Sequence, residues 1–394
     1  MDTAARPRVT PWHLGSLTLA LALGCGDSGG GTSDAESTTG SSDMSTSASA
    51  SSSTAASSSG QATAGTSDGS TGVGESETGD PPGPESAAWC FEQMYENGAD
   101  AVGPDYDQFE LKLGSHCKGT NHQEIEGVER VVFLGDSVTV GSPPTEYTDF
   151  YRTRLANSLA ARFGLQPPSI QWQYLDLGDG MSAQQESGAF ASCAKWGART
   201  DDVVPASEQV ANCFPEDKRA LKTLVVMTIG GNDLSAIIQD GIEGVPLDML
   251  WEDVELFIDY MRETIEWLSD PQQFPNGVYV VFANVYEFTD GTGELTACPA
   301  AASAGFDMPW EDPDAMNEIA VHANEQFVSI AGETGTDVIF MFEHFCGHGY
   351  KADDPAAPCY RGPGSENWFD LTCIHPNPTG HAAIEDLFLA VIDE

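Results

Sequence analysis

Between residues 128 and 394 the chain alternates short apolar runs with stretches in which apolar residues return every three or four positions. Val128 to Leu134 (VERVVFL) ends at Gly135 and reads as a buried parallel strand that delivers Asp136 and Ser137 at its carboxyl edge. Tyr147 to Phe163 has helical spacing, and Ile170 to Leu177 (IQWQYLDL) predicts a second strand. Thr223 to Ile229 (TLVVMTI) predicts a third and runs directly into GGND. Leu250, Val254, Phe257, Met261, Ile265 and Leu268 form the stripe of an amphipathic helix that packs on a sheet. Val278 to Asn284 and Asp337 to Phe342 predict strands four and five, with helices near 315–332 and 379–392.

Strands alternating with helices predict an α/β fold, a three-layer α/β/α sandwich around a five-stranded parallel sheet. In such sheets sites form beyond the carboxyl ends of the strands. Three segments fall at such places: GDSVTVG around Ser137, GGND around Asn232 and IHPNPTGH around His375. They offer a hydroxyl, an amide donor and an imidazole, the parts that an ester-cleaving site requires. A serine hydroxyl is a poor nucleophile until a base takes its proton and fixed donors receive the oxyanion. Ser137 is expected where a strand turns towards a helix, His375 on a loop ahead of the last helix, and His381 in that helix's first turn as a structural residue.

These blocks resemble those of the SGNH hydrolases, also called the GDSL esterase/lipase family, over roughly residues 128–394. The resemblance implies a flavodoxin-like fold, Ser137 as nucleophile and His375 as base. It further implies an oxyanion hole made by Ser137, Asn232 and a central glycine, for which Gly180 is the first choice and Gly178 the alternative. The family's acid usually stands three residues before the histidine, where this chain has Thr372. Asp370, or a main-chain carbonyl near Thr372, is then expected to orient His375. Phe345 with Gly347 and His348 resembles a further motif of secreted members, in which His348 either shapes the pocket or is structural. The implied activity is hydrolysis of carboxylic esters in lipids, acylated carbohydrates or small molecules, with carbohydrate deacetylation as a second enzymatic reading. A catalytically silent surface binding or adhesion module on the same scaffold is the alternative from another class. The implied reaction needs no cofactor, and the chain is expected to be a monomer.

The N-terminus changes the setting. Arg6 and Arg8 precede LGSLTLALALG and Cys25, a basic region followed by an apolar span too short for a membrane helix. Residues 1–25 are therefore an expected export signal. Ala22-Leu23-Gly24 before Cys25 resembles a bacterial lipoprotein cleavage box, so Cys25 is the expected lipidation site; cleavage by an ordinary signal peptidase is the alternative. Residues 26–86 are Ser, Thr, Gly and Ala with nine acids and neither Lys nor Arg. Such a segment buries too little to offset ordering entropy. It reads as a tether of roughly 40 to 45 Å end to end, or as a glycosylated stalk, holding a hydrolase domain at 87–394 on the cell envelope through a lipid anchor.

The net charge is −45, from 61 acids against 16 bases. That surface repels nucleic acid and anionic lipid and favours solubility. Eight of the nine cysteines follow the tether: Cys90, Cys117, Cys193, Cys213, Cys298, Cys346, Cys359 and Cys373. An even number in an exported chain predicts four disulfides. Eight cysteines allow on the order of a hundred pairings; proximity along the chain gives Cys90–Cys117, Cys193–Cys213, Cys298–Cys346 and Cys359–Cys373. No two of them form CxxC, and Glu343, His344 and His348 lack the HExxH order, so no metal site is expected. The one GxGxxG spacing, Gly24, Gly26 and Gly29, opens the tether without a strand before it and does not predict nucleotide binding.

Overall fold

The computed structural model of the protein describes residues 84, 86–304, 306 and 308–394. The expected export signal, Cys25 and nearly all of the tether lie outside the described residues.

Ser86 caps α1 (Ala87–Phe91), whose Phe91 stacks edge-on against Tyr106 and Phe340 beneath the sheet's far edge. Then come β1 (Arg130–Gly135), α2 (Ser137–Val140), α3 (Tyr151–Phe163) and α4 (Ile170–Gln173). The short strands β2 (Leu175–Asp176) and β3 (Met181–Ser182) form a separate antiparallel ribbon. β4 (Glu186–Ser187), β5 (Phe190–Ser192), α5 (Glu208–Cys213), β6 (Thr223–Thr228), α6 (Gly231–Ile242) and α7 (Leu247–Leu268) follow. The chain closes with β7 (Val278–Ala283), α8 (Pro313–Thr334), β8 (Asp337–Ile339), α9 (Met341–Phe345) and α10 (Pro378–Asp393).

The main sheet has six strands in the order β4-β5-β1-β6-β7-β8. Five are parallel, and β4 adds an antiparallel edge through its hairpin with β5. Counting only the parallel strands along the chain, the spatial order is second, first, third, fourth, fifth, the flavodoxin-like winding. The expected number of parallel strands is present, but the second is not where the apolar run placed it. Ile170–Gln173 is a helical turn capped by the Ser169 hydroxyl. The parallel partner of β1 is Phe190–Ser192 instead. Ile170 and Leu177 are exposed, and of that run Trp172 alone is fully buried, so its apolarity does not mark a sheet interior.

Successive residues of each central strand face opposite layers. Val132, Leu134, Val225, Met227, Val280 and Phe282 meet the apolar stripe of α7 and α8. Val131, Phe133, Leu224, Val226 and Val281 meet α3 and α10. Each of these side chains stabilises the fold by ~1.5–3 kcal/mol through burial. The predicted stripe of α7, from Leu250 to Leu268, is buried throughout.

Four disulfides are present among the described residues: Cys90–Cys117, Cys193–Cys213, Cys298–Cys373 and Cys346–Cys359. The first two follow chain proximity, whereas the expected Cys298–Cys346 and Cys359–Cys373 are exchanged. The segment after β7 and the segment before α10 both emerge above the carboxyl edge of the sheet. Cys298 therefore meets Cys373 across 75 positions of sequence.

Candidate active site

The winding reverses between β1 and β6, and both strands open into helices at their carboxyl ends. Ser137 is the first residue of α2 and is buried to all but 9% of its surface. Gly135, at φ +125°, makes the turn; a Cβ there would stand 2.0 Å from the Thr228 carbonyl oxygen. The Asp136 carboxylate accepts from Val138 N–H at 3.0 Å and from the Thr228 hydroxyl at 3.2 Å, which ties the start of α2 to β6. Burial raises its pKa to about 7, against the pull of those hydrogen bonds.

His375 approaches from the loop before α10. Its Nε2 lies 2.9 Å from Ser137 Oγ, and its Nδ1 lies 2.8 Å from the Thr372 hydroxyl. Thr372 Oγ1 donates in turn to Asp370 Oδ1 at 2.5 Å, and Thr372 N–H donates to the same oxygen at 2.7 Å. Asp370 thus makes no hydrogen bond to the imidazole, and among the described residues no main-chain carbonyl bonds to Nδ1. The orienting contact differs from both expectations: a hydroxyl stands between base and acid, and Asp370 reaches the ring through it alone. The loop itself is closed by Asp370 N–H on the His375 carbonyl at 2.9 Å. It is anchored by Tyr350 OH on the Asp370 carbonyl at 2.7 Å, by Tyr286 OH on the Ile374 carbonyl, and by the Cys298–Cys373 disulfide. Crowding by protein pushes the His375 pKa down to about 4. Burial also raises the pKa of Asp370.

Gly230, at φ +101°, starts α6, and Asn232 stands in its first turn. One hydrogen of the Asn232 amide is used on the Ala198 carbonyl at 2.9 Å, which leaves the second free to serve a ligand. The neighbouring Asp233 carboxylate holds the same loop through Thr200, accepting its N–H at 3.1 Å and its hydroxyl at 3.0 Å. Burial raises the pKa of Asp233 to about 7.

Neither glycine expected in the oxyanion hole has a free donor. Gly180 N–H is spent on the Asp176 carbonyl at 2.9 Å, and Gly178 N–H on the Asp176 carboxylate at 2.8 Å. Both sit in the β2–β3 ribbon, outside the main sheet. A glycine that does have a free N–H is Gly197, on the loop leaving β5, one position before the carbonyl that Asn232 holds. It is exposed, has φ +72°, and its N–H has no hydrogen-bond partner among the described residues, as is true of Ser137 N–H. Trp196 beside it packs on Gly180 and donates its indole N–H to the Gly141 carbonyl at 2.8 Å, linking this loop to the end of α2. The signal that marks Gly197 in the sequence is its place after β5, a strand of three residues that apolar patterning does not reveal.

Three other histidines of the described residues make no hydrogen bond to Ser137 or His375. His381 Nδ1 accepts from Tyr151 N–H at 3.2 Å within the α3–α10 layer, and burial lowers its pKa to about 3. His344 Nε2 faces the Cys117 carbonyl at 3.2 Å. His348 stacks flat on Trp368 at 3.6 Å and places Nδ1 2.8 Å from the Glu366 carbonyl. Among the described residues the group with metal-ligand proximity is Glu287, Cys346 and Cys359, whose two sulfurs are joined in a disulfide and so offer no thiolate.

The model of the GDSL-like lipase/acylhydrolase family matches residues 133–383. No curated protein matches in sequence. Among solved structures, a gut microbial diltiazem-metabolizing enzyme shares 15% identity over 69% of this chain at a TM-score of 0.42; the match spans 49% of that enzyme, about half its length. A protein of Parabacteroides merdae described as a GDSL-like lipase shares 16% identity over 68% of this chain and 99% of its own, at 0.37. An acetyl xylan esterase shares 15% identity over 66% and 98% of the two chains, at 0.38.

Proposed function

The chain belongs to the GDSL-like lipase/acylhydrolase family and is an ester hydrolase, and from that premise we propose that it cleaves carboxylic esters through an acyl-enzyme on Ser137. The observation that carries this reading is the 2.9 Å contact between His375 Nε2 and Ser137 Oγ. At that separation the imidazole takes the hydroxyl proton as oxygen attacks the ester carbonyl.

The carbonyl oxygen becomes an oxyanion, which is received by Ser137 N–H, Gly197 N–H and the free amide hydrogen of Asn232. The two backbone donors have no other protein partner among the described residues, which supports their assignment. His375 then passes its proton to the departing alcohol. Water, deprotonated by the same nitrogen, releases the acid. The low pKa of His375 supports this cycle, because a base must be neutral before it can accept a proton.

The setting of the enzyme rests on the sequence. The basic and apolar segment ahead of Cys25 and the Ser/Thr/Gly-rich stretch after it support an exported hydrolase held at the cell surface by a lipid anchor. The acidic chain suits neutral or cationic esters better than anionic bilayers.

The test is hydrolysis of p-nitrophenyl acetate, butyrate, octanoate and palmitate by the protein with its disulfides intact, beside Ser137→Ala. Activity abolished in the variant supports the serine mechanism, and the chain-length profile divides small-acyl esterase or deacetylase from lipase. Equal activity in Ser137→Ala would overturn the mechanism. A wild-type protein that neither hydrolyses any ester nor labels with a fluorophosphonate probe would return the chain to the class of silent binding modules.

A further inference from the structure

We propose that Thr372 is the positioning residue of this site: its hydroxyl fixes the tautomer of His375 and couples the imidazole to Asp370, so that acid, hydroxyl, base and nucleophile form a four-membered relay. The inference rests on the serine-esterase reading and deepens it.

A threonine hydroxyl has one hydrogen to give and room to accept two. At Thr372 every one of these is used within a single turn. Oγ1 donates to Asp370 Oδ1 at 2.5 Å, faces His375 Nδ1 at 2.8 Å, and accepts the His375 backbone N–H at 3.2 Å. Asp370 Oδ1 already accepts the Thr372 backbone N–H at 2.7 Å, so this oxygen is an acceptor from two directions. That assignment follows for the ionised carboxylate, which can only accept. The hydroxyl hydrogen is therefore committed to Asp370, and towards His375 the oxygen has only a lone pair to offer. Nδ1 must then carry the hydrogen, which leaves Nε2 bare against Ser137 Oγ. This is the tautomer a general base requires.

The relay moves no proton beyond the imidazole. When Ser137 attacks, its proton goes to Nε2 and the Nδ1 hydrogen stays in place. The hydroxyl, polarised by Asp370, stabilises the imidazolium through its oxygen. The coupling is weaker than that of a carboxylate in direct contact, since one hydroxyl lies between charge and ring. The site trades strength of stabilisation for a strict choice of tautomer.

The experiment compares Thr372→Val, Thr372→Ser, Asp370→Asn and the Thr372→Val/Asp370→Asn double variant in ester hydrolysis and by nitrogen-15 NMR of the histidines. Valine keeps the shape and removes the hydroxyl; serine keeps the hydroxyl; asparagine keeps an acceptor and removes the charge. Thr372→Val is expected to lose kcat by about 30-fold with KM changed less than about twofold, and Thr372→Ser to stay within about threefold of the parent. Asp370→Asn is expected to lose about fivefold in the parent and nothing further in the valine background, because its influence passes through the hydroxyl. In NMR, His375 of the parent and of Ser137→Ala should be protonated at Nδ1, and Thr372→Val should shift it towards the other tautomer. A Thr372→Val enzyme retaining more than a third of kcat, or an Asp370→Asn loss that is the same in both backgrounds, would overturn the relay. Should the valine variant not fold, the nitrogen-15 tautomer in the parent and in Asp370→Asn decides: hydrogen on Nε2 in the parent refutes the relay. Failure of the esterase reading is a separate outcome, seen as equal hydrolysis by Ser137→Ala while the tautomer measurement still reports on Thr372.

Discussion

Replacing Asn232 with alanine separates catalysis from stability more cleanly than any other change at this site. Its amide holds the Ala198 carbonyl at 2.9 Å with one hydrogen, and in the proposed mechanism the other serves the oxyanion. Losing one oxyanion donor costs ~3 to 4 kcal/mol of transition-state stabilisation, about a hundred- to thousandfold in kcat. Loss of the Ala198 bond costs ~1 kcal/mol of folding free energy. Position 232 lies in the first turn of α6, where alanine returns up to ~0.7 kcal/mol through helix propensity. The net change in stability is thus a few tenths of a kcal/mol, and the unfolding midpoint should move by about 2 °C or less in a domain of this size. The assay is kcat and KM on p-nitrophenyl butyrate together with a thermal melt of the same preparation. A fall of two to three orders of magnitude in kcat, with KM and the melt nearly unchanged, is expected. A kcat within tenfold of the parent, with the melt intact, would remove Asn232 from the oxyanion hole and refute the assignment of its free hydrogen.

Further outcomes follow from the same geometry. Burial lowers the His375 pKa from 6.5 towards about 4, and the base works only when neutral, so the acid limb of kcat/KM should fall below 6.5; a limb at or above 6.5 refutes the assignment. The open edge of the ring and the Thr372 hydroxyl oppose the full shift, so the limb belongs between those two values. Gly178→Ala should leave kcat within about twofold, because the Gly178 N–H is already spent on Asp176 and a Cβ would meet only that carboxylate, at 3.2 Å. The Cys298–Cys373 disulfide spans 75 positions and Cys346–Cys359 spans 13, which on a chain-entropy basis are worth ~4.5 and ~3 kcal/mol. Denaturant melts of the two double-serine variants should show the larger loss for the first pair. That variant should also lose kcat, since Cys373 lies between Thr372 and His375.

Much of this was legible in the sequence for a physical reason: β1, β6 and β7 are six-residue strands in the sheet interior, almost wholly apolar, each running into a glycine or polar turn. Burial on both faces leaves such a run little freedom to be anything else, and Ser137 and Asn232 follow directly from where those runs stop. The second parallel strand escaped because Phe190–Ser192 is too short to show a period, while the longer run at 170–177 has a serine that caps a helical turn. That single misplacement drew the expected oxyanion glycine to the β2–β3 ribbon and away from Gly197, the glycine proposed for it above. The disulfides escaped in a different way. Pairing depends on which loops meet above the sheet, and Cys298 and Cys373 meet because β7 and the segment before α10 discharge at the same edge.

The displaced acid has a geometric explanation in the closed turn from 370 to 375. Asp370 N–H binds the His375 carbonyl and Cys373 N–H binds the Asp370 carbonyl at 3.0 Å, so the two ends of the turn are fixed to each other. Cys373 takes φ +72°, a left-handed value that an L residue adopts only at a cost, and its disulfide to Cys298 holds it there. Within that frame the Asp370 carboxylate caps Thr372 N–H, the usual use of an aspartate two residues before a free amide. The oxygen that caps Thr372 is also the one bonded to its hydroxyl. The imidazole, three residues further than the cap, lies within reach of the hydroxyl alone. A threonine at 372 is thus what lets a turn with its acid five residues before the base still direct that base at Ser137, and a side chain without a hydroxyl there would leave Nδ1 with no partner from this turn.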